Sequence, residues 1–167
     1  MKRTVVTGAD GFIGKNLIRR LKDIGSSETE FICLTRESSH GEWQAALERA
    51  DCIIHLAGVN RSNSYNDFVC GNIDSTERIC EVLRTRVSAP RVFFASSTKA
   101  VSGTPYGDTK IAAENALEVL AKSNCASINI CRLPNVYGKW SKPFYNSVIA
   151  TFCHQIANSQ EVVMHNK

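Results

Sequence analysis

The chain has 167 residues, a formal net charge of +4 and 22% charged residues. Hydrophobic residues make up 43% of the sequence, an ordinary value for a globular protein, which argues against disorder. The positive excess is small and is not concentrated in a Lys/Arg block, so nucleic-acid binding is not predicted. No signal-like apolar region or membrane-length stretch follows Met1, and we therefore expect a cytoplasmic protein that contacts no membrane.

The predicted elements alternate between short apolar strands and helices. In chain order they are a strand at 3–7, a helix ending near residue 23, a strand at 30–35, a short helix at 42–49, a strand at 51–57, a long helical segment at 66–86, a strand at 91–97, a helix at 107–122, a strand at 127–133, a helix at 143–157 and a strand-like fragment at 161–165. Strands that are apolar throughout indicate a parallel sheet covered on both faces. Right-handed crossovers then predict an α/β fold, a Rossmann-like doubly wound sheet in three layers. We expect six strands between residues 3 and 133, forming a complete nucleotide-binding sheet.

A glycine turn joins the first predicted strand to the first helix. Gly8, Gly11 and Gly14 occur there in the spacing G-x-x-G-x-x-G. Gly8 would permit the tight turn, Gly11 would let the backbone approach a pyrophosphate, and Gly14 would let the helix pack closely on the sheet. Free N–H groups and the helix dipole favour phosphates at that helix N-terminus. A plain turn without a ligand is the alternative, but the position in the first βα unit favours a dinucleotide site.

The end of the second strand bears on which dinucleotide binds. The sequence there is Leu34-Thr35-Arg36-Glu37. NAD sites usually place an acidic residue at this point, whereas an arginine accommodates the 2′-phosphate of NADPH. Arg36 comes first, so we predict NADPH, and Glu37 leaves NAD possible. A solvated surface arginine is the alternative interpretation.

Tyr106 and Lys110 form a candidate catalytic pair. They are four residues apart at the start of a predicted helix, so they share one face. We expect the Lys110 ammonium to lower the pKa of Tyr106 toward neutrality, which would allow proton transfer. Ser97 ends the preceding strand and could hydrogen-bond a substrate carbonyl as it gains charge. Two solvated side chains are the alternative for a Y-x-x-x-K pair.

The ordered motifs resemble the extended short-chain dehydrogenase/reductase family, which contains nucleotide-sugar epimerases, dehydratases and reductases. The matching segments are TGADGFIG, HLAGVN, GNIDST, FFASST, YGDTK and RLPNVYG. The segment AGVNR, the short loop between Ser97 and Tyr106, and the run RLPNVYGKWSKPFYNSVIATF are similar to bacterial reductases of capsule and O-antigen synthesis. Those reductases act on UDP-4-keto-6-deoxy-hexosamines. The resemblance implies NADPH-dependent reduction of the 4-keto group of such a sugar.

The resemblance implies roles for individual residues. Tyr106 would be the general acid/base, and Lys110 would be its partner and a ligand of the cofactor ribose. Ser97 would polarise the carbonyl, although Thr98 could share or take that role. Further residues implied to line the cofactor are Phe12, Ile13, Leu56, Ala57, Gly58 and Leu133.

The substrate contacts implied by the resemblance are fewer. Asn135 would contact the diphosphate or the sugar, and Arg61 could reach the substrate phosphates unless it is an exposed loop charge. Asn72 matches a family asparagine of mostly structural role. The four histidines are scattered along the sequence, so no metal site is predicted.

The regular alternation of strands and helices stops between Pro134 and Pro143. We predict an NAD(P)-binding Rossmann domain at 1–140 and the start of an incomplete substrate-binding region at 141–167. The apolar side chains within 143–167 are expected to be poorly ordered or buried in a homodimer. Two other functions stay open, namely a nucleotide-sugar 4-epimerase or dehydratase and a non-catalytic dinucleotide-binding fragment.

Overall fold

The computed structural model describes residues 1–25, 28–124 and 126–163. Its centre is a parallel sheet of five strands in the order β2-β1-β3-β4-β5. The strands are β1 (Lys2–Thr7), β2 (Thr29–Leu34), β3 (Cys52–His55), β4 (Arg91–Ser97) and β5 (Ile128–Leu133). The carboxyl ends of all five lie at one edge of the sheet, where ligands bind in folds of this type.

Helical segments connect the strands and flank the sheet. They are α1 (Phe12–Ile24), α2 (His40–Glu48), α3 (Tyr65–Phe68), a π-helix (Val69–Asp74), α4 (Ser75–Arg84), a 3₁₀-helix (Thr98–Val101), α5 (Pro105–Asn124) and α6 (Val148–Ala157). Ser39 begins α2 with a capping box, in which its hydroxyl accepts the N–H of Glu42 and its own N–H bonds the Glu42 carboxylate. The Rossmann-like α/β fold expected from the sequence is confirmed.

Some predicted elements differ from the observed ones. The sheet has five strands rather than six in the described residues, because the five apolar runs before residue 134 give one strand each. Residues 161–163 form no strand, and 164 and 165 lie outside the described residues. The long helical segment is interrupted by the π-helix Val69–Asp74, and the helix predicted from 143 begins at Val148 after a series of turns.

The hydrophobic core lies on one face of the sheet. Val5 of β1 pairs with Ile53 of β3, which pairs with Val92 of β4, and all three are fully buried. Burial of each large side chain stabilises the fold by about 1.5–3 kcal/mol. The helices packed on this row contribute Trp43, Leu47, Ile79, Leu83, Leu117 and Leu120.

The chain divides into two compact units, and the first runs from Met1 to Pro134. The second begins at Asn135, slightly before the boundary predicted at 140. Its exposed large hydrophobic side chains are Val136, Tyr137, Trp140, Phe144, Tyr145, Val148, Ile149, Ile156 and Val163. Across the described ranges, no helix combines the length and apolarity needed to cross a membrane. The same ranges hold no group of three or more His, Cys, Asp or Glu that could bind a metal ion.

Candidate active site

The glycine turn after β1 has the geometry that a pyrophosphate needs. Gly8 adopts a positive φ of 64°, and a Cβ there would lie 2.7 Å from the backbone N of Ala57. Gly14 packs against Gly8 O and Ala9, with a Cβ position 2.7 Å from Ala9 Cα. Gly11 is the N-cap of α1, and the first turn of that helix carries no acidic side chain. The N–H groups at this end of α1 are therefore open to an anion, which fits a dinucleotide phosphate.

A network of buried polar side chains joins this turn to the rest of the site. The Thr7 hydroxyl accepts the N–H of Ala57 at 3.1 Å and lies 2.7 Å from His55 Nδ1. Thr76 donates its hydroxyl proton to Asn72 O, so its oxygen accepts from His55 Nε2 at 3.0 Å. The imidazole proton is thus on Nε2, and Nδ1 accepts from Thr7. Burial and the Lys110 charge lower the pKa of His55 to about 3, so the ring is neutral.

Asn72 holds the loop after β3 against the π-helix. Its Oδ1 accepts the N–H of Val59 and its Nδ2 donates to Val59 O, both at 2.9 Å. Nδ2 also donates to Thr109 Oγ1 of α5 at 3.0 Å. A Cβ on Gly58 would lie 2.8 Å from Asn72 Oδ1, so the loop and Asn72 fit closely only with glycine there. The structural role expected for Asn72 agrees with these contacts.

Ser97 and Tyr106 are brought together at the carboxyl end of β4. The short 3₁₀-helix after Ser97 leads directly into α5, whose first turn carries Tyr106. Gly107 allows the approach, because a Cβ there would overlap the carbonyl oxygen of Lys99. Ser97 Oγ accepts the N–H of Lys99 at 3.1 Å, and the Ser97 side chain lies close enough to Tyr106 to act on the pKa of the phenol.

The pKa of Tyr106 shifts in the direction opposite to the one expected from the sequence. Burial raises it, and the hydrogen bond with Ser97 opposes only part of that rise. The expectation that Lys110 lowers the pKa of Tyr106 is therefore wrong for this structure. The physical reason is that removing a phenolate from water costs more than the neighbouring groups repay.

Lys110 lies one helical turn after Tyr106, with its side chain directed at β4. It is only 3% exposed, donates from Nζ to Ala95 O at 2.8 Å, and lies 4.1 Å from the centre of the Phe94 ring. Burial lowers the pKa of Lys110 to about 8, and the Glu114 carboxylate opposes this shift. The ammonium is thus still the main form at neutral pH.

Glu114, which is buried, forms an ion pair that the motif analysis missed with Arg132, whose side chain is 44% exposed. Arg132 Nη2 donates to Glu114 Oε2 at 2.6 Å, and Ser96 Oγ donates to Oε1. Burial raises the pKa of Glu114, but the hydrogen bonds from Arg132 and Ser96 bring it below its ordinary value. The spacing of four residues between Lys110 and Glu114 was a signal in the sequence, since it places both on one helix face.

The remaining predicted site residues of the first unit lie at or near the carboxyl edge of the sheet. Arg36 is exposed just beyond β2, in a turn where Thr35 Oγ1 accepts the N–H of Glu37. Thr98 and Arg61 are exposed, and Asn135 belongs to the second unit. The predicted cofactor-lining residues are at the start of α1 (Phe12, Ile13), after β3 (Leu56, Ala57, Gly58) and at the end of β5 (Leu133).

Comparison with known proteins places this site in a family. The chain is 42% identical over 164 residues to the UDP-2-acetamido-2,6-beta-L-arabino-hexul-4-ose reductase of Pseudomonas aeruginosa, a match that covers 98% of this chain and 44% of the relative. Among solved structures, the capsular polysaccharide assembling protein CapF from Staphylococcus aureus superposes with a TM-score of 0.83 at 36% identity, over 98% of this chain and 43% of that one. The chain thus spans less than half the length of these two proteins.

A third similarity concerns the fold alone. The UDP-glucuronic acid 4-epimerase from Bacillus cereus, solved with UDP-glucuronic acid and NAD, has a TM-score of 0.83 at 19% identity over 99% of this chain and 66% of that chain. The profile of the NAD dependent epimerase/dehydratase family matches residues 4–167. The glycine turn, the Ser97–Tyr106 contact and Lys110 all lie within that range. This chain therefore belongs to the NAD dependent epimerase/dehydratase family.

Proposed function

We propose that this chain binds NADPH and supplies the reaction site of an enzyme that reduces the 4-keto group of a UDP-linked 6-deoxy-hexosamine in surface polysaccharide synthesis. The observation that carries the proposal is the meeting of Ser97, Tyr106 and Lys110 at the carboxyl edge of the sheet. They meet in a chain that is 42% identical over 98% of its length to a reductase of a UDP-linked keto sugar.

The residues around the glycine turn would hold the cofactor. The N–H groups of Phe12 and Ile13 open the first turn of α1 and would bind the pyrophosphate. Arg36 would pair with the 2′-phosphate, because its guanidinium can form charge-assisted hydrogen bonds with phosphate oxygens. Lys110 would hydrogen-bond the ribose next to the nicotinamide. When bound, NADPH supplies a hydride to the keto carbon.

Tyr106 would donate the proton to the carbonyl oxygen. Its raised pKa keeps the phenol protonated before the reaction, which is the state that a proton donor requires. The Ser97 hydroxyl, which accepts the N–H of Lys99, would donate its proton to the carbonyl oxygen as negative charge develops there. The Lys110 ammonium would then stabilise the phenolate that remains on Tyr106.

Substrate binding would extend beyond the reacting carbonyl. Thr98 lies beside Ser97 and Arg61 lies in the loop after β3, and we assign both, together with Asn135, to the UDP-sugar. Regions beyond the matched 44% of the reductase relative would complete the pocket. We further propose that the protein acts in the cytoplasm as a homodimer.

Cofactor binding and catalysis need separate experiments. Fluorescence titration of this chain with NADPH tests the glycine turn, and absence of binding would contradict the proposal at its first step. Turnover is measured as loss of NADPH absorbance with a UDP-4-keto-6-deoxy-hexosamine, in a polypeptide that also carries the regions by which the reductase relative is longer. A 4-epimerase would return the hydride to its sugar, so sugar conversion without net oxidation of NADPH would replace the reductase proposal.

A further inference from the structure

An ion cluster of the buried Glu114 and the partly exposed Arg132 lies one helical turn beyond the proposed catalytic pair. Glu114 is 2% exposed, and Arg132 Nε donates to its two oxygens at 3.0 and 3.2 Å while Nη2 donates to Oε2 at 2.6 Å. Burying a carboxylate is costly even when it is paired, and apolar residues often fill such a place with less cost in stability. The position of this cluster beside Lys110 is therefore a feature that packing alone does not explain.

Three residues of α5, each one turn apart, hold three consecutive residues at the end of β4. Tyr106 lies beside Ser97, whose side chain acts on the pKa of the phenol. Lys110 donates to Ala95 O, and Glu114 accepts from Ser96 Oγ. The bond to Glu114 thus holds the residue between the other two contacts. A shift of Ser96 would move both the carbonyl that Lys110 contacts and the Ser97 hydroxyl, because these groups are adjacent in the strand.

Among the described residues, Glu114 is the buried carboxylate that can balance the positive charge of Lys110. Burial in β3 keeps His55 neutral, Tyr106 is protonated at neutral pH, and the π-helix presents the uncharged Asn72. Arg132 of β5 forms an ion pair with Glu114. Other charged side chains on neighbouring segments, Lys99 and Asp108, are exposed to water.

We propose that Glu114 is a positioning residue, which keeps the Lys110 ammonium protonated and aligned with Ser97, and that Arg132 keeps Glu114 ionised. The catalytic consequence rests on the proposed function, whereas the effect on Lys110 does not. The directions of the pKa shifts agree, because Glu114 opposes the loss of the Lys110 proton and Arg132 opposes the protonation of Glu114. Arg132 also links the cluster to β5 directly before Leu133, a proposed cofactor contact.

The test is an NMR titration of the protein with 13C-labelled lysine, without cofactor or sugar. The Lys110 signal is assigned by its absence from Lys110→Met. Glu114→Gln keeps the shape of the side chain and removes its charge, so the pKa of Lys110 should fall by about one unit or more. Arg132→Gln removes the cation that keeps Glu114 ionised, so the pKa of Lys110 should also fall, whereas Arg132→Lys keeps the charge and should leave that pKa nearly unchanged.

A variant that keeps the charge separates an electrostatic role from a structural one. Arg132→Lys and Arg132→Gln both lose the guanidinium hydrogen bonds to Glu114, so mere loosening of the site would shift the pKa of Lys110 equally in both. Ser96→Ala is the matched control, because it removes one hydrogen bond to Glu114 and no charge, and its shift should be much smaller than that of Glu114→Gln.

An equal shift in Arg132→Lys and Arg132→Gln, no shift in Glu114→Gln, or a shift in Ser96→Ala as large as that in Glu114→Gln would overturn the proposal. If Glu114→Gln does not fold, the Arg132 variants decide, and the absence of a fall in Arg132→Gln overturns the proposal. The titration requires neither NADPH nor a sugar, so its failure and the failure of the proposed function are separate results.

Discussion

Replacing Gly14 with alanine would force the start of α1 away from the glycine turn. A Cβ at this position would overlap Gly8 O and lie 2.7 Å from Ala9 Cα. Carbon atoms in contact are normally about 3.5–4.0 Å apart, so the overlap is about 1 Å. The atoms in the way belong to the backbone, and no side chain can move aside to make room. The first turn of α1 must therefore shift with respect to Gly8.

The cost can be worked out from two opposing effects. Forcing an extra methyl group into a packed site costs up to about 3 kcal/mol, and the higher helix propensity of alanine returns about 1 kcal/mol. We expect Gly14→Ala to lose about 2 kcal/mol of unfolding free energy, and its Tm to fall by about 4–8 °C. The same shift displaces the N–H groups that would hold the pyrophosphate, so the Kd for NADPH should rise at least about tenfold.

Gly41 provides the matched control for this substitution. It lies in α2, and a Cβ at this position would have no atom within 4 Å. Gly41→Ala should therefore leave NADPH binding unchanged and stabilise the protein by up to about 1 kcal/mol. Urea unfolding and fluorescence titration of both variants make the comparison. A Gly14→Ala variant within about 0.5 kcal/mol of the unmodified protein, with unchanged affinity for NADPH, would refute this account of the turn.

Four further predictions concern the cofactor, the proton donor, pH and association. Arg36→Ala should weaken NADPH binding by about tenfold or more and leave NADH binding unchanged; equal affinities for the two cofactors in the unmodified protein would exclude the 2′-phosphate contact. In the longer enzyme, Tyr106→Phe should abolish reduction and leave cofactor binding intact, whereas Lys110→Met should impair both. Normal turnover of Tyr106→Phe would show that another group donates the proton. The pKa of His55 falls from 6.5 to about 3 on folding. Its contribution to stability is therefore complete above about pH 6.5 and is lost toward pH 3 at about 1.4 kcal/mol per pH unit. An equally steep loss of stability in His55→Gln, measured by urea unfolding against pH, would assign the loss to other groups. The exposed apolar side chains on α6 predict that the protein sediments as a dimer and that the amides of 148–157 are protected from exchange. A monomer in which that segment is strongly protected would contradict the prediction.

Local patterns in the sequence were sufficient for the fold and for most of the proposed site. Apolar runs predicted each of the five observed strands, and their alternation with helices predicted a parallel sheet. The glycine spacing placed the turn between β1 and α1, and the four-residue spacing placed Tyr106 and Lys110 on one helix face. Such features depend on neighbours within one or two turns of chain, and the printed sequence shows them directly.

The electrostatics of the site came only from the tertiary structure. The pKa of Tyr106 depends on how deeply its ring is buried, which the Y-x-x-x-K spacing does not contain. His55 is neutral because the fold buries it completely and places the Lys110 charge near it. Glu114 meets Arg132 because β5 pairs with β4 in a register that brings the arginine beside α5.

The sequence by itself therefore determined which elements form and where the glycine turn and the catalytic pair lie along the chain. The tertiary structure decided which charges are buried, which polar groups pair, and in which direction each pKa shifts. The physical reason is that strand and helix formation respond to local periodicity, whereas desolvation and ion pairing depend on contacts between residues far apart in sequence.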